Sequence, residues 1–214
     1  MTDKAAFIRG NAALIAPPLV GEVRLYLATE VVPLWRKTEE ELEAEGVPPP
    51  YWAFAWAGGQ ALARYVLDAP DTVRGKRVLD FGSGSGLVAI AAAKAGAAHV
   101  LAADIDDFAA AAIALNVEAN DARCEVTTDD LIGREGDWQT ILVGDMCYER
   151  PLAERLLTWL RERVGAGVTV LLGDPGRSYF PKSGVERLAT YNVQTTRELE
   201  DREIRETNVY RLVA

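Results

Sequence analysis

The chain has one histidine, two cysteines and two methionines in 214 residues. That scarcity narrows the chemistry. His99 alone would have to serve any Ser-His-Asp or Cys-His arrangement, and it stands in "AAHVLAAD", where an apolar run begins and a structural role is the simpler reading. Cys124 and Cys147 form no C-x-x-C pair and no repeated spacing, so no metal site is expected; a reduced pair in a cytoplasmic protein is. A G-x-x-x-x-G-K-[ST] phosphate loop is missing, and "GSGSG" carries Gly84 where a hydrolase elbow needs serine. No apolar run approaches the ~18 residues of a membrane span. The opening "MTDKAAFIRGNAALIAPP" lacks the apolar stretch of a signal peptide, so neither secretion nor a membrane partner is expected. Positive charge is in deficit: 23 Lys and Arg face 32 Asp and Glu, a net charge of -9. Such a surface repels phosphate backbones, which argues against nucleic acid and favours a basic protein patch or a cationic small molecule.

What is present divides in two. Residues 1–71 are irregular and helical in pattern, interrupted by Pro17, Pro18, Pro33 and Pro48 to Pro50, and read as an extension packed on a core. Within them "EVRLYLA" alternates as a short strand does, and "PLWRKTEEELEAEG" predicts a helix stopped by Gly46. Residues 72–214 are rhythmic. "KRVLDF", "HVLAAD", "CEVTT", "WQTILVGD" and "GVTVLLGD" predict strands. "GLVAIAAAKAG", "DDFAAAAIALNVEAN" and "RPLAERLLTWLRERVG" predict the helices between them, and "ATYNVQTTREL" with "REIRETNVYRLV" a closing hairpin. Alternation of this kind specifies an α/β domain, a mostly parallel sheet with helices on both faces.

Ligands of such sheets bind at the carboxyl ends of the strands. Four predicted ends carry unusual residues. "DFGSGSG" offers Asp80, Gly82, Gly84 and Gly86 in a D-x-G-x-G-x-G spacing that suits S-adenosylmethionine (SAM) better than a dinucleotide; a tight turn without ligand is the alternative. Asp104 follows Gly86 by 18 residues, where an acid that takes both ribose hydroxyls is expected. Asp130 in "TTDDLIG" could accept from an adenine amino group or merely close an Asx turn. Asp145 and Tyr148 in "GDMCYE" follow a buried strand, where an acid points into the cleft or caps the next helix. Upstream, "PPPYWAFAWAGGQALARY" sets Tyr51, Trp52, Phe54 and Trp56 close together. Aromatic faces attract cations, so these rings either wall a binding site or anchor the extension. The expected division puts Phe54 and Trp52 in the core and Trp56, Gly58 and Gly59 at a site.

Together the glycine motif, "ADID", "LNVEAN" and "GDMCY" resemble the seven-β-strand SAM-dependent methyltransferases. More narrowly, "FIRGNAALIAPPLVGEVRLYLA", "PYWAFAWAGGQALARYVLD", "AADIDDFAAAAIALN", "GDMCYE" and "GDPGRSYFP" resemble the electron-transfer flavoprotein β-subunit lysine methyltransferase family. The resemblance implies a Rossmann-like seven-stranded sheet with a C-terminal β-hairpin. It implies SAM held by Trp56, Asp80, Gly82, Gly84, Gly86, Asp104, Ile105, Asp130 and Leu131. Asp145 and Tyr148 would act on a lysine of the flavoprotein β subunit, presented on a basic patch to a monomeric enzyme. Cys147 departs from the aromatic residue the family often carries before its motif tyrosine. A small-molecule, nicotinamide-type N-methyltransferase, a lysine methyltransferase of another protein such as a ribosomal protein, and a non-catalytic SAM-binding regulator are the alternatives.

Overall fold

A computed structural model describes residues 3–28, 49–195 and 203–213. The predicted helix over 33–46 lies outside them. Helix α1 (Lys4–Asn11) is capped by the Asp3 side chain, which accepts from the Ala6 N–H at 3.1 Å. Strands β1 (Ala13–Ile15) and β2 (Leu25–Leu27) pair antiparallel, so "EVRLYLA" forms a strand only over its central residues. A 3-10 turn, Tyr51–Ala53, leads into α2 (Ala57–Asp68), and a second, Pro70–Thr72, follows it. Then follow β3 (Arg77–Phe81), α3 (Leu87–Lys94), β4 (His99–Ala103), α4 (Asp107–Ala119), β5 (Glu125–Thr127), β6 (Thr140–Gly144), α5 (Arg150–Gly165), β7 (Thr169–Asp174), β8 (Val185–Gln194) and β9 (Ile204–Leu212).

The main sheet has seven strands in the order β5-β4-β3-β6-β7-β9-β8. The first five run parallel, and β9 pairs antiparallel with both β7 and β8. The chain leaves β3 in one direction and returns to lay β6 on its other side, so strand order reverses between β3 and β6. This is the expected Rossmann-like α/β sheet with its terminal hairpin. β8 begins earlier than the sequence pattern suggests, because Val185 already pairs with Leu212.

The apolar strands are buried on both faces, as parallel strands between helices must be. Val78, Leu142 and Leu171 pack on the face that holds α2 and α3. Their neighbours Leu79, Ile141, Val143, Val170 and Leu172 pack on the other face, with Leu156, Trp159 and Leu160 of α5. A third cluster joins Ile8, Trp52 and Phe54 to Phe108, Ala112 and Leu115 of α4. Thus α2 is a layer of the sandwich although it precedes residue 71. It lies close on the sheet because Gly58 meets Gly173: a Cβ on either would collide with the other's carbonyl oxygen.

Candidate functional site

The turn after β3 is built by hydrogen bonds across to β4. The N–H groups of Gly82 and Ser83 both donate to the Ala103 carbonyl, at 2.9 and 3.1 Å. Gly84 has φ +53°, and a Cβ there would find nothing nearer than the Tyr51 carbonyl oxygen at 4.0 Å. Its backbone is therefore open to a ligand. Gly82 and Gly86 are packed, against Met146 and Ile113 respectively. The Gly84 N–H donates to Asp104 Oδ2 at 2.8 Å, and Asp104 Oδ1 accepts from the Asp106 N–H at 3.1 Å. Burial raises the Asp104 pKa, and these two bonds pull it back. Next to it Ile105 is 76% exposed, an apolar side chain on the rim.

Three further expected cofactor residues have partners within the chain. Asp80 lies beneath the turn, where its Oδ2 accepts from Ser83 Oγ at 2.6 Å and from the Ala89 N–H at 2.9 Å. Fully buried, it is pushed up to about 7, chiefly by loss of water. It braces the glycine turn against the start of α3. Asp130 closes an Asx turn with the Ile132 N–H at 3.0 Å and pairs with Arg155 on α5 at 2.7 Å. The Arg155 hydrogen bond holds its carboxyl below the usual range. The Asx turn is thus formed, with the other carboxylate oxygen held by Arg155. Leu131 is buried in the cluster of Phe81, Trp138 and Trp159.

Asp145 lies just past β6. Its φ is +59°, one of two non-glycine residues with positive φ among those described. It is 8% exposed. Oδ2 accepts from the Gly59 N–H at 2.9 Å, and Oδ1 accepts from Arg177 Nη2 at 2.7 Å and Nε at 3.1 Å. The start of α2 thus points a backbone donor at the carboxylate, where the helix dipole favours negative charge. Arg177 is held in turn. Asp174, buried at the end of β7, accepts from the Gly176 and Arg177 N–H groups, both at 2.7 Å. The Arg177 guanidinium lies over the Trp56 ring, 5.6 Å from its centroid.

The rings continue outward from there. Trp56 caps α2 by position, and its Nε1 donates to the Tyr51 carbonyl at 3.0 Å. Tyr51 lies 6.1 Å from Trp56 and 5.9 Å from Tyr148, centroid to centroid. Tyr51 is 49% and Tyr148 44% exposed, so the row opens to solvent. Burial raises the Tyr148 pKa, and the charges of Glu149 and Asp104 add to the shift. Through Tyr51, whose carbonyl oxygen lies 4.0 Å from where a Gly84 Cβ would be, the row passes the turn that Asp104 holds. Trp52 and Phe54 are buried, Phe54 lying 5.8 Å from Trp56. Burial drives the Cys147 thiol up to about 12, with Asp174 and Asp145 contributing, so it is not a nucleophile near neutral pH.

His99 begins β4, at the sheet edge opposite the cleft, with Nε2 3.1 Å from a Glu125 oxygen. Among the described residues no group of three His, Cys, Asp or Glu could hold a metal ion, and no helix is long and apolar enough to cross a membrane. Sequence reasoning singled out neither Arg177 nor Asn116. Asn116 donates to the Ser85 carbonyl and accepts from the Tyr26 N–H, both at 2.7 Å, tying β2 to the glycine turn. Both lie in stretches the resemblance rests on, "GDPGRSYFP" and "LNVEAN", and that was the only signal for them.

Comparisons with known proteins follow the same lines. The family model of the ribosomal protein L11 methyltransferase (PrmA) matches residues 60–142. An electron transfer flavoprotein beta subunit lysine methyltransferase of Xenopus laevis is 42% identical over 98% of this chain and 87% of its own length. The Homo sapiens protein of that name is 41% identical over 85% of this chain and 70% of its own. Among solved structures, the magnesium protoporphyrin IX methyltransferase (ChlM) of Synechocystis PCC 6803 with bound SAM superposes with a TM-score of 0.55. It covers 74% of this chain and 80% of its own at 19% identity, a likeness of fold alone.

Proposed function

The chain belongs to the electron transfer flavoprotein beta subunit lysine methyltransferase family, and we propose that it methylates a lysine of that flavoprotein subunit with SAM as donor. The residues fit such a donor. Gly84 opens its backbone at the strand-to-helix turn, Asp104 stands against it with a carboxylate suited to ribose hydroxyls, and exposed Ile105 offers an apolar edge. When bound, SAM supplies a methyl group on a sulfonium sulfur: the amine nitrogen bonds to the methyl carbon as the carbon–sulfur bond breaks, and the electron pair goes to sulfur.

The chain's own residues have to position the amine. A free lysine has a pKa of about 10.4 and arrives protonated, so it loses a proton to water before it can attack. Asp145 then accepts an N–H of the neutral amine and aims its lone pair. Tyr148 and Tyr51 line the approach with ring faces that favour a cation during entry. The observation that carries this reading is the row of Trp56, Tyr51 and Tyr148, which runs from the Asp145–Arg177 pair past the Gly84 turn held by Asp104 to exposed rings at the rim. The net charge of -9 suits a lysine-bearing basic patch, since opposite charge steers encounter.

The test is a tritiated-SAM assay with purified flavoprotein β subunit. Label on that protein is expected. Label confined to small molecules would replace the reading with the nicotinamide-type alternative. Asp145→Asn should lower turnover by a factor of about 10² or more, because a reacting amine misplaced by 1 Å can cost that much. SAM affinity should stay within a few-fold. An Asp145→Asn enzyme with wild-type turnover would remove Asp145 from the reaction.

A further inference from the structure

Asp145 by itself is a poor partner for catalysis by an amine. A carboxylate favours the ammonium, and only the neutral amine attacks. The structure supplies a second charge. Arg177 donates two hydrogen bonds to Asp145 Oδ1, and its guanidinium also covers Trp56, the innermost ring of the aromatic row. An amine reaching Asp145 along that row therefore comes up beside a fixed cation.

The geometry points to Arg177 as the residue that lowers the acceptor lysine's pKa, by offsetting the Asp145 carboxylate and presenting like charge to the ammonium. This rests on the lysine methyltransferase reading above. Arg177 is suited to the task because guanidinium stays protonated throughout the working range. Its backbone is fixed by Asp174, so its charge is anchored on two sides. Groups from three packed segments stand around the pair. From the end of β7 comes Asp174. From the segment after β6 come Cys147, which stays a neutral thiol, and Tyr148, with Glu149 and Asp104 acting on that tyrosine. From α2 come the Gly59 N–H and the Trp56 ring. None of these titrates from neutral to cationic between pH 6.5 and 10, and Arg177 is a cation in direct contact with Asp145. The sequence of events is a balanced one. The ammonium gives its proton to water, the neutral amine donates an N–H to Asp145, and the amine takes the methyl group. Arg177 remains protonated throughout and touches neither the methyl group nor the sulfur, which makes it a positioning residue.

The experiment is single-turnover methylation of the flavoprotein β subunit under saturating SAM, from pH 6.5 to 10, with wild type, Arg177→Gln and Arg177→Lys. For Arg177→Gln the rising limb should move up by about one pH unit, a tenfold loss at neutral pH. The plateau at high pH should stay within a few-fold. Arg177→Lys, which restores a cation, should move the limb back toward wild type. A second readout needs no turnover. Docking the β subunit onto enzyme loaded with S-adenosylhomocysteine should release more protons with wild type than with Arg177→Gln, measured calorimetrically in buffers of different ionisation enthalpy. A limb that stays in place while all rates fall equally would overturn the inference and leave Arg177 as scaffold. A faster Arg177→Gln enzyme with a lower KM at neutral pH would also overturn it, since Arg177 would then occupy the lysine's place. A wild-type enzyme inactive on the β subunit would overturn the functional reading itself, whatever the variants do.

Discussion

Asp80 gives the glycine turn a pH dependence that can be measured without any substrate. Its carboxyl titrates at an ordinary 3.8 when exposed and at about 7 in the fold, because burial penalises the anion more than Ser83 and Ala89 repay it. Folding thus tightens the hold on the proton. The stabilisation from this group is complete below pH 3.8 and is lost as pH rises to about 7. Between pH 5 and pH 8 the carboxyl passes through about two units below its folded pKa. At 1.36 kcal/mol per unit, that is a loss of about 3 kcal/mol. Asp80→Asn has a similar shape and an amide oxygen to accept from Ser83, but nothing to ionise. Urea unfolding of both proteins at the two pH values isolates the difference, since every other titrating group is common to the pair. Wild type should lose about 3 kcal/mol relative to the variant on going from pH 5 to pH 8. Parallel stability profiles would refute the reasoning, and Asp80 would then be a carboxylate that ionises without cost.

Asp104→Ala should weaken SAM binding at least tenfold by calorimetry, because charge-assisted hydrogen bonds are worth about 1.5–3 kcal/mol each and the Gly84 N–H also loses its acceptor. Unchanged affinity would remove Asp104 from the cofactor site. Gly58→Ala should lower stability by about 1–3 kcal/mol. The added methyl would lie 2.5 Å from Asp145 Oδ2 and 2.8 Å from the Gly173 carbonyl carbon, so α2 has to move away from the strand ends. A melting temperature equal to wild type would show that the helix yields freely there.

Strands β3, β6 and β7 were legible because they are buried on both faces and therefore read as continuous apolar runs with glycine or acid at their ends. Directions of side chains were not. Asp80 and Asp130 each stand at a strand end, as a cofactor acid would. Asp80 turns under the loop toward the α3 backbone, and Asp130 turns outward to Arg155. Those choices depend on partners set by the three-dimensional crossing of elements. The same holds for Arg177. Its pairing with Asp145 follows from β6 and β7 being parallel neighbours, which brings the segments after both strands to one edge. The aromatic cluster divided along burial, Trp52 and Phe54 inward and Trp56 outward, because the 3-10 turn at Tyr51–Ala53 gives way to extended backbone at Phe54 before α2 begins.

The backbone at Asp145 explains why the site sits where it does. A left-handed conformation costs an ordinary residue about 1–2 kcal/mol, and glycine would occupy it without penalty. This position holds aspartate, one of the few other residues that enter the region. The effect is directional: the turn aims the carboxylate back toward the first turn of α2, where the Gly59 N–H receives it and Arg177 closes on the other oxygen. That first turn can come so close only because Gly58 and Gly173 carry no side chains. An acid at positive φ, a close-packed helix start and a half-buried arginine are thus parts of one arrangement. Relaxing any one of them would free the carboxylate to rotate, and a freely rotating carboxylate can bind an ammonium but cannot aim an amine.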